Sequence, residues 1–463
     1  MSHHHIAVTE IPAGGENLRV DKIASLKSLC LLVGGVGAVI SAFLLLPQIF
    51  SEGARDSLGR SFSFSWLFAF EVFFTITVGA LFWVLLHNAS NSGWGVAIRR
   101  IPETLSNNFL LIFFLGLPLV LIPSIRETVW TWIGHHAYIS DTVALPEGEH
   151  ASELGQIEAG GHATHLLAHK YGYLHLWFGD TTHWWGYLPG WCMRFFIFFA
   201  LLAFGAWKMR NYSISQDTTG DVKVTFSARR FAAGWLPVMA VFSSFAAIDW
   251  IEGLNYKWFS TMWPVNVFAA SALSSMALII LVVGMLRRTG HFKHIVSVEH
   301  FHIMGKLMHA FIIFWAYICF SQYFLIWYAN IPEETQFYAI RNTGGWWFFS
   351  IALTFLHFVV PFLALLKRNA KKNLNVIMGI AVYVIFIHLL EVYWWVIPQR
   401  GPVLYDASAA PEFGRLVVDF GLDALALVTF AGLFGYFFLK RLATASIYPC
   451  GDPRLEESVN LMN

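Results

Sequence analysis

Charged residues are scarce in this sequence. Asp, Glu, Lys and Arg together make up 13% of its 463 residues, whereas hydrophobic residues make up 57% and the mean hydropathy is +0.57. Soluble domains carry about 25% charged residues, so this composition excludes a soluble enzyme. The formal net charge of +1 gives no basis for binding nucleic acid, because proteins that do so neutralise phosphates with an excess of Lys and Arg.

Cysteine is also scarce. The four cysteines, Cys30, Cys192, Cys319 and Cys450, lie far apart and form no CxxC or CxxCH motif. Zinc knuckles and attachment sites for c-type haem are therefore excluded. The HExxH motif is absent, and no Ser/His or paired-Asp motif is found, which argues against an intramembrane protease. We expect this chain to bind no cofactor of its own, so that any redox centre belongs to another subunit.

Long apolar stretches dominate the sequence. A helix that crosses about 30 Å of hydrocarbon needs about 20 mostly apolar residues, and ten stretches meet this requirement. The first is too long for the core of a signal peptide, so we interpret it as a retained span. The sequence predicts an all-α polytopic membrane protein with spans at 26–47, 62–88, 103–124, 187–208, 232–250, 261–287, 303–328, 344–366, 373–397 and 413–439.

Lys and Arg indicate the orientation, because cytoplasmic loops carry more of both. Of the 30 such residues, 21 fall on one side, 8 on the other, and Arg194 lies within the fourth span. This predicts that both termini are cytoplasmic. The resulting order is a cytoplasmic segment 1–25, spans 1–3 within 26–124, an outer loop 125–186, spans 4–10 within 187–439, and a cytoplasmic tail 440–463.

The outer loop 125–186 holds 8 of the 19 histidines. His162, His165 and His169 share one face if this segment is helical, which is a spacing suited to metal ligands. The alternative is a solvated loop that contacts a partner.

A weak internal repeat is also visible, in which spans 2–5 and 6–9 each form a four-helix unit that ends in an acidic residue beside aromatic residues.

Ionisable residues inside spans are the functional candidates, since each costs about 2.5–3.5 kcal/mol to insert. His388 and Glu391 are three residues apart and share a helical face, so they are the strongest pair for exchanging a proton. Asp249, Glu252 and Lys306 lie near span ends, where capping or snorkelling is an equal alternative. The candidates for a proton path are Glu71, Arg194, Asp249, Glu252, Lys306, His309, His357, His388, Glu391 and Asp423, with His87 and Asp419 also within spans.

Two alternatives to proton exchange concern particular residues. Arg194 could serve only to neutralise an acidic neighbour. His357 and His388 are the one pair that could ligate a b-type haem, which needs facing histidines at similar depth.

Several segments resemble the NrfD/PsrC-like membrane subunits, and among them the second such subunit, the ActF type, of alternative complex III. The most specific segments follow one another from His302 to Thr335: HIMGK, FWAY, SQY and WYANIPEET. Supporting segments are His87 with Trp94 and Arg99-Arg100, Asp249-Trp250 with Trp258–Thr261 (WFST), and Asp452–Ser458 (DPRLEES). The resemblance covers nearly the whole chain.

The chain also departs from the family. Glu391 stands where these proteins have an aspartate, a change that keeps the carboxylate. The loop 125–186 is similar to an insertion, and Leu174–Arg194 aligns loosely, so the role of Arg194 is not carried over.

The resemblance implies two four-helix units with flanking helices and no cofactor in this chain. It implies a multi-pass subunit of a bacterial inner-membrane quinol:cytochrome c or other electron acceptor oxidoreductase. The partners would be a related quinol-oxidising subunit, an iron–sulfur subunit, multihaem cytochrome c subunits and, in some assemblies, a terminal oxidase. Quinol or quinone is a possible ligand, and the sequence leaves open whether it binds to this chain or only to the related subunit.

Three functions then compete. A proton path coupled to quinol oxidation is favoured because buried ionisable groups carry an energetic cost that a scaffold does not need. A cofactor-free structural anchor of the same complex is the main alternative. A secondary transporter would show broken helices at matching places in two halves, and the sequence shows only the isolated Gly34-Gly35 pair and Pro361.

Overall fold

The computed structural model describes residues 14–50, 57–131, 187–255, 258–400 and 413–461, together with Pro12 and Ile133. The described residues form helices and connecting turns, with no strand among them. Ten helices are long and apolar enough to cross a membrane, so the protein is an all-α, multi-pass membrane protein. We number them α1 Val20–Phe50, α2 Ser57–Ala89, α3 Arg100–Leu121, α4 Tyr187–Thr219, α5 Val222–Trp250, α6 Trp263–Arg288, α7 Val298–Ala329, α8 Gly344–Leu366, α9 Leu374–Val396 and α10 Phe413–Leu442.

The ten predicted spans are confirmed, because each coincides with one of these helices. Two helices are irregular. α3 consists of Arg100–Ser106 and Phe109–Leu121, and α8 contains a π turn at Phe355–Val359. A short helix, Pro123–Val129, follows α3, and another, Pro332–Arg341, connects α7 to α8. His162, His165, His169 and most of the loop 125–186 lie outside the described residues.

The helices pack as two four-helix units with two flanking helices, as predicted. α2 contacts α3, α4 and α5, whereas α6 contacts α7 and α9, and α8 packs against both α7 and α9. The units meet where α2 packs along α6, and the last helix of each unit also contacts the first helix of the other. α1 packs on α10, which in turn packs on α2.

Small residues allow these helices to approach closely. A Cβ added to Gly79 of α2 would lie 1.9 Å from the backbone oxygen of Ser271 in α6. A Cβ on Gly34 of α1 would lie 2.5 Å from the backbone nitrogen of Leu433 in α10. In lipid, helices associate through close packing of small residues because there is no hydrophobic gain from burying one apolar surface against another. These glycines therefore fix both the contact between the units and the position of the flanking pair.

One face of the bundle is closed by the segments that connect the helices. We call the face where α1 begins and α10 ends the tail face, and the opposite one the far face. Ile447 donates its backbone N–H to Glu16 (2.9 Å), and the Ser458 hydroxyl donates to the backbone oxygen of Trp94 (2.8 Å). Residues before α1, between α2 and α3, and after α10 thus share one side, as the distribution of Lys and Arg predicts. Which face is cytoplasmic remains a prediction.

Buried ion pairs reinforce the tail face. Arg99 contacts Asp452 at 2.8 Å and Glu103 at 3.2 Å, while Arg100 donates to Asp217 at 2.7 Å. Tyr448 lies in the same region, where burial, followed by the nearby Glu16, raises the pKa of its hydroxyl to about 12. The segment after α10 is therefore held by charges and hydrogen bonds from three other parts of the chain.

We expect Asp452→Asn to destabilise the protein. The substitution removes the charge that faces buried Arg99, and leaving a buried group without its partner costs about 1–3 kcal/mol. The thermal unfolding midpoint in detergent should fall, whereas Glu456→Gln, the same loss of charge at an exposed position of the same segment, should leave it unchanged. Equal midpoints for the two variants would contradict the role assigned to Asp452.

Candidate functional site

Three helices of the second unit bring ionisable and polar side chains together around Glu391. Trp315 of α7 donates its indole N–H to Glu391 Oε1 at 2.5 Å. The other carboxylate oxygen, Oε2, lies 3.5 Å from Nδ1 of His388 and 3.7 Å from Nδ1 of His357. All three ionisable side chains are about 1% exposed. We call these four residues the Glu391 cluster.

Helix geometry explains how two of these residues meet. His388 and Glu391 are three residues apart on α9, and residues at this spacing lie side by side on an α-helix. The predicted pair is therefore formed, and both side chains face the interior of the unit. This local arrangement needs no contribution from the rest of the fold.

His357 reaches the cluster through the π turn of α8. Pro361 has no backbone N–H to bond with the carbonyl of His357 four residues earlier, and its ring would crowd that carbonyl in a regular α-helix. The helix widens over Phe355–Val359 instead, as π turns often do at functional sites. The His357 ring then lies with its centroid 3.7 Å from that of Trp315. A regular-helix count of residue spacings does not reveal this placement.

A hydroxyl connects the cluster to the first unit. The Thr75 hydroxyl of α2 and Nε2 of His388 form a 3.0 Å hydrogen bond. Glu71 lies one helical turn before Thr75, and the Thr75 hydroxyl also contacts the backbone oxygen of Glu71 at 2.8 Å. Glu71 is buried, and its Oε1 has no hydrogen-bond partner among the described residues. The Thr75 hydroxyl therefore links His388 to the backbone of α2 at Glu71.

A second acidic group lies near the far face. Asp423 of α10 accepts a hydrogen bond from the Ser65 hydroxyl of α2 at 2.5 Å and another from Arg400 at 2.9 Å. Asp419 lies 3.6 Å from the same guanidinium. Ser65 and Glu71 are on the same helix, separated by the apolar residues 66–70. Sequence reasoning identified the acidic residues but missed Ser65 and Arg400.

Arg194 and Asp249 form a separate ion pair in the first unit. The guanidinium of Arg194 on α4 donates to both carboxylate oxygens of Asp249 on α5, at 2.7 and 3.1 Å. Both side chains are about 1% exposed. This matches the prediction that Arg194 neutralises an acidic neighbour. Glu252, just beyond α5, accepts the backbone N–H of Ser260 at 2.7 Å, so it holds the connection between α5 and α6 and caps neither helix.

The candidates nearer the tail face are not joined to the cluster by any contact in the described part of the chain. Lys306 is exposed, and His309 is half-buried with its ring centroid 5.1 Å from that of Phe362. His87 is buried, and its ring lies 4.8 Å from Trp94. Glu103, which sequence reasoning missed, is buried between Arg99 and Arg100. Its spacing of three and four residues from the two arginines could have indicated it.

A cavity of about 490 Å³ reaches the Glu391 cluster from the side of the second unit. Trp315 and Cys319 of α7, Leu353 and Phe358 of α8, and Glu391 of α9 are among its lining residues. This volume falls within the ~300–1,000 Å³ range of small-molecule sites. Among the described residues, the Glu391 cluster included, no group of three or more His, Cys, Asp or Glu is arranged to hold a metal ion.

Comparisons with known proteins do not assign the chain to a family. No protein-family model matches it, and no curated protein is significantly similar to it. The resemblance to NrfD/PsrC-like subunits therefore depends on the segments quoted above, and the functional argument depends on the geometry of the Glu391 cluster.

We expect Trp315→Phe to destabilise the protein, because it removes the donor to a buried carboxylate oxygen at a cost of about 1–3 kcal/mol. The matched control is Trp327→Phe, the same substitution at an exposed position of α7. Thermal unfolding of the two purified variants in detergent tests this expectation. A midpoint for Trp315→Phe that equals the control would show that the indole does not hold Glu391.

Proposed function

We propose that this chain is an ActF-type integral membrane subunit of a respiratory quinol:electron acceptor oxidoreductase, and that it provides a path for protons coupled to quinol oxidation. The single observation that carries the proposal is the Glu391 cluster, in which a buried carboxylate faces two imidazoles and an indole. The segments that resemble NrfD/PsrC-like subunits supply the identity of the complex. The bacterial inner membrane is the location that this identity implies.

The chemistry of the cluster suits proton exchange. Carboxylates and imidazoles both bind and release protons, and histidine is the side chain whose ordinary pKa lies between pH 5 and 8. A hydroxyl such as that of Thr75 both donates and accepts hydrogen bonds, and it is bonded to His388. Its contact with Glu71 is to the backbone oxygen, so passage of a proton on to the Glu71 carboxylate would need a water molecule. Each of these groups is costly to bury in a membrane, and a scaffold gains nothing from that cost.

The path that we propose follows the contacts toward the far face. Glu391 and His357 exchange protons with His388, and Thr75 passes them toward Glu71. Residues 66–70 of α2 are apolar, so the remaining step from Glu71 to Ser65 and the Asp423 carboxylate would need water. Arg194 and Asp249 are outside this path, because an arginine does not release its proton in proteins.

Electrons would not travel through this chain. Quinol would be oxidised at a related membrane subunit, and iron–sulfur and c-type haem centres of partner subunits would carry the electrons to cytochrome c or a terminal oxidase. This chain would then contribute proton movement and contacts with those partners.

The irregular helices do not favour the alternative of a secondary transporter. Transporters place their broken helices at corresponding positions of two repeats. Here α3 is the second helix of the first unit, whereas α8 is the third helix of the second unit. The two interruptions therefore do not correspond.

The proposed path predicts that Glu391→Gln combined with His388→Ala abolishes proton release coupled to turnover. The measurement is the number of protons released per electron by the complex reconstituted in vesicles, at confirmed equal assembly. The matched control combines Glu456→Gln with His294→Ala, the same two changes at exposed positions. Loss of proton yield with electron flow retained supports the path, whereas unchanged yield and rate would identify the chain as a structural anchor.

The link between the two units is tested by Thr75→Val. This change removes the hydroxyl that bonds to His388 but keeps the shape of the side chain, so we expect proton yield to fall. Thr77→Val is the control, because the buried Thr77 hydroxyl bonds to the backbone oxygen of Phe73. A fall in proton yield of equal size in both variants would contradict the role of Thr75.

A further inference from the structure

The cavity beside the Glu391 cluster opens toward the membrane. Its wall on α7 includes Phe320 and Tyr323, and its wall on α8 includes Ile351 and Phe355. These residues are strongly exposed, with Phe320 at 65% and Phe355 at 60%. α8 packs on α7 mainly through its π turn and Val360–Leu366, so the two helices separate toward the far face. A molecule dissolved in the bilayer can therefore enter sideways between them.

The inner end of the cavity is polar. Glu391 lies there, and its Oε2 accepts no hydrogen bond from the described residues. Trp263 and Trp395 also line the cavity, and the indole N–H groups of both are buried without a partner in the described part of the chain. Asn266, whose side-chain oxygen accepts from the Cys319 thiol at 2.8 Å, is a further lining residue. Buried polar groups normally have hydrogen-bond partners, and this many without one mark a site for a ligand with polar atoms.

The walls between the mouth and the inner end are rich in aromatic rings. Trp315, Tyr338 and Trp394 line this part, along with Phe358. Aromatic side chains bind flat rings by offset stacking or edge contacts worth about 0.5–1.5 kcal/mol each. The cavity thus combines an apolar mouth, a section suited to a flat ring, and an inner end that offers both hydrogen-bond donors and an acceptor.

We propose that this cavity binds a lipid-soluble quinol or quinone, with its ring between the aromatic walls and its tail extending through the gap between α7 and α8. A ring hydroxyl would donate to Glu391, and the indole N–H groups of Trp263 and Trp395 would donate to ring oxygens. A phospholipid acyl chain fits the mouth equally well but offers these groups no polar atom. A sugar or an inorganic ion is disfavoured by the apolar walls.

The site is a binding site only, and no electron transfer is assigned to it. The inference rests on the proposed function, because Glu391 is also the centre of the proton path. A quinol held there would place a hydroxyl proton in hydrogen-bond contact with the Glu391 cluster. The identity of the bound molecule and the transport of protons are nevertheless measured separately.

The test uses a decyl benzoquinone that carries a photoreactive azide, applied to the full complex in vesicles, with labelled peptides mapped by mass spectrometry. We expect the label on α7 and α8 residues that line the cavity, and we expect excess unlabelled decyl benzoquinone to remove it. Ala316→Phe, which fills the cavity from α7, should reduce labelling by about tenfold or more, equivalent to about 1.4 kcal/mol. Ala310→Phe, the same change at an exposed position of α7, should not reduce it.

A second variant, Thr354→Phe, fills the cavity from α8. It keeps the test decisive if Ala316→Phe does not fold. Labelling that persists in both filled variants would overturn the proposal. So would strong cavity labelling by a phosphatidylcholine with a diazirine on its acyl chain that excess decyl benzoquinone does not displace, because the occupant would then be lipid. Proton yield that depends on Glu391 and His388 without any cavity labelling would reject the quinol site while leaving the proposed function intact. Cavity labelling together with an unchanged proton yield in the Glu391 and His388 variant would reject the proton path and leave the quinol site intact.

Discussion

The close packing of α2 against α6 is the contact on which the rest of the bundle depends. It exists because Gly79 has no side chain where the backbone of Ser271 approaches, and α6 follows this with a run of small residues. Since α2 and α6 are the first helices of the two units, their packing also sets where the last helices lie. α9 is thereby brought against α2, which places His388 within hydrogen-bond distance of Thr75. A glycine thus determines a polar contact one helical turn away on α2.

The two units resemble each other in architecture but differ in chemistry. In each, the last helix carries an acidic residue that meets a basic side chain from the third helix: Asp249 meets Arg194 in the first unit, and Glu391 meets His357 in the second. The first pairing joins fixed charges, since arginine stays protonated, so it is not suited to exchanging protons. The second joins groups that can both change charge. The same geometry has therefore become structural in one unit and suited to proton exchange in the other.

Much of the fold could be predicted from the sequence, because the bilayer imposes a simple length and composition on every spanning helix. The pairing of His388 with Glu391 could also be predicted, since it depends only on helical spacing. The position of His357 beside Glu391 could not be predicted, because it depends on a π turn that shifts the register of α8. A search for ionisable groups inside spans ignores neutral donors, so it missed Trp315, Thr75 and Ser65. It also ignores residues at span ends, so it missed Arg400. Lys306 and His309 were included by depth, although their side chains lie outside the Glu391 cluster.

The contacts on the tail face bear on how the protein is assembled. Ser458 bonds to Trp94, and Ile447 bonds to Glu16, so residues made after the tenth helix complete the surroundings of residues made before the first and third. Arg99 and Glu103 enter the membrane region early during synthesis, while Asp452 is added only after α10. Until Asp452 has been synthesised, Arg99 therefore lacks one of its two acidic partners. The contacts of the tail face can form only after the final helix has been inserted. Cellular quality control can therefore distinguish complete molecules from incomplete ones at this late step.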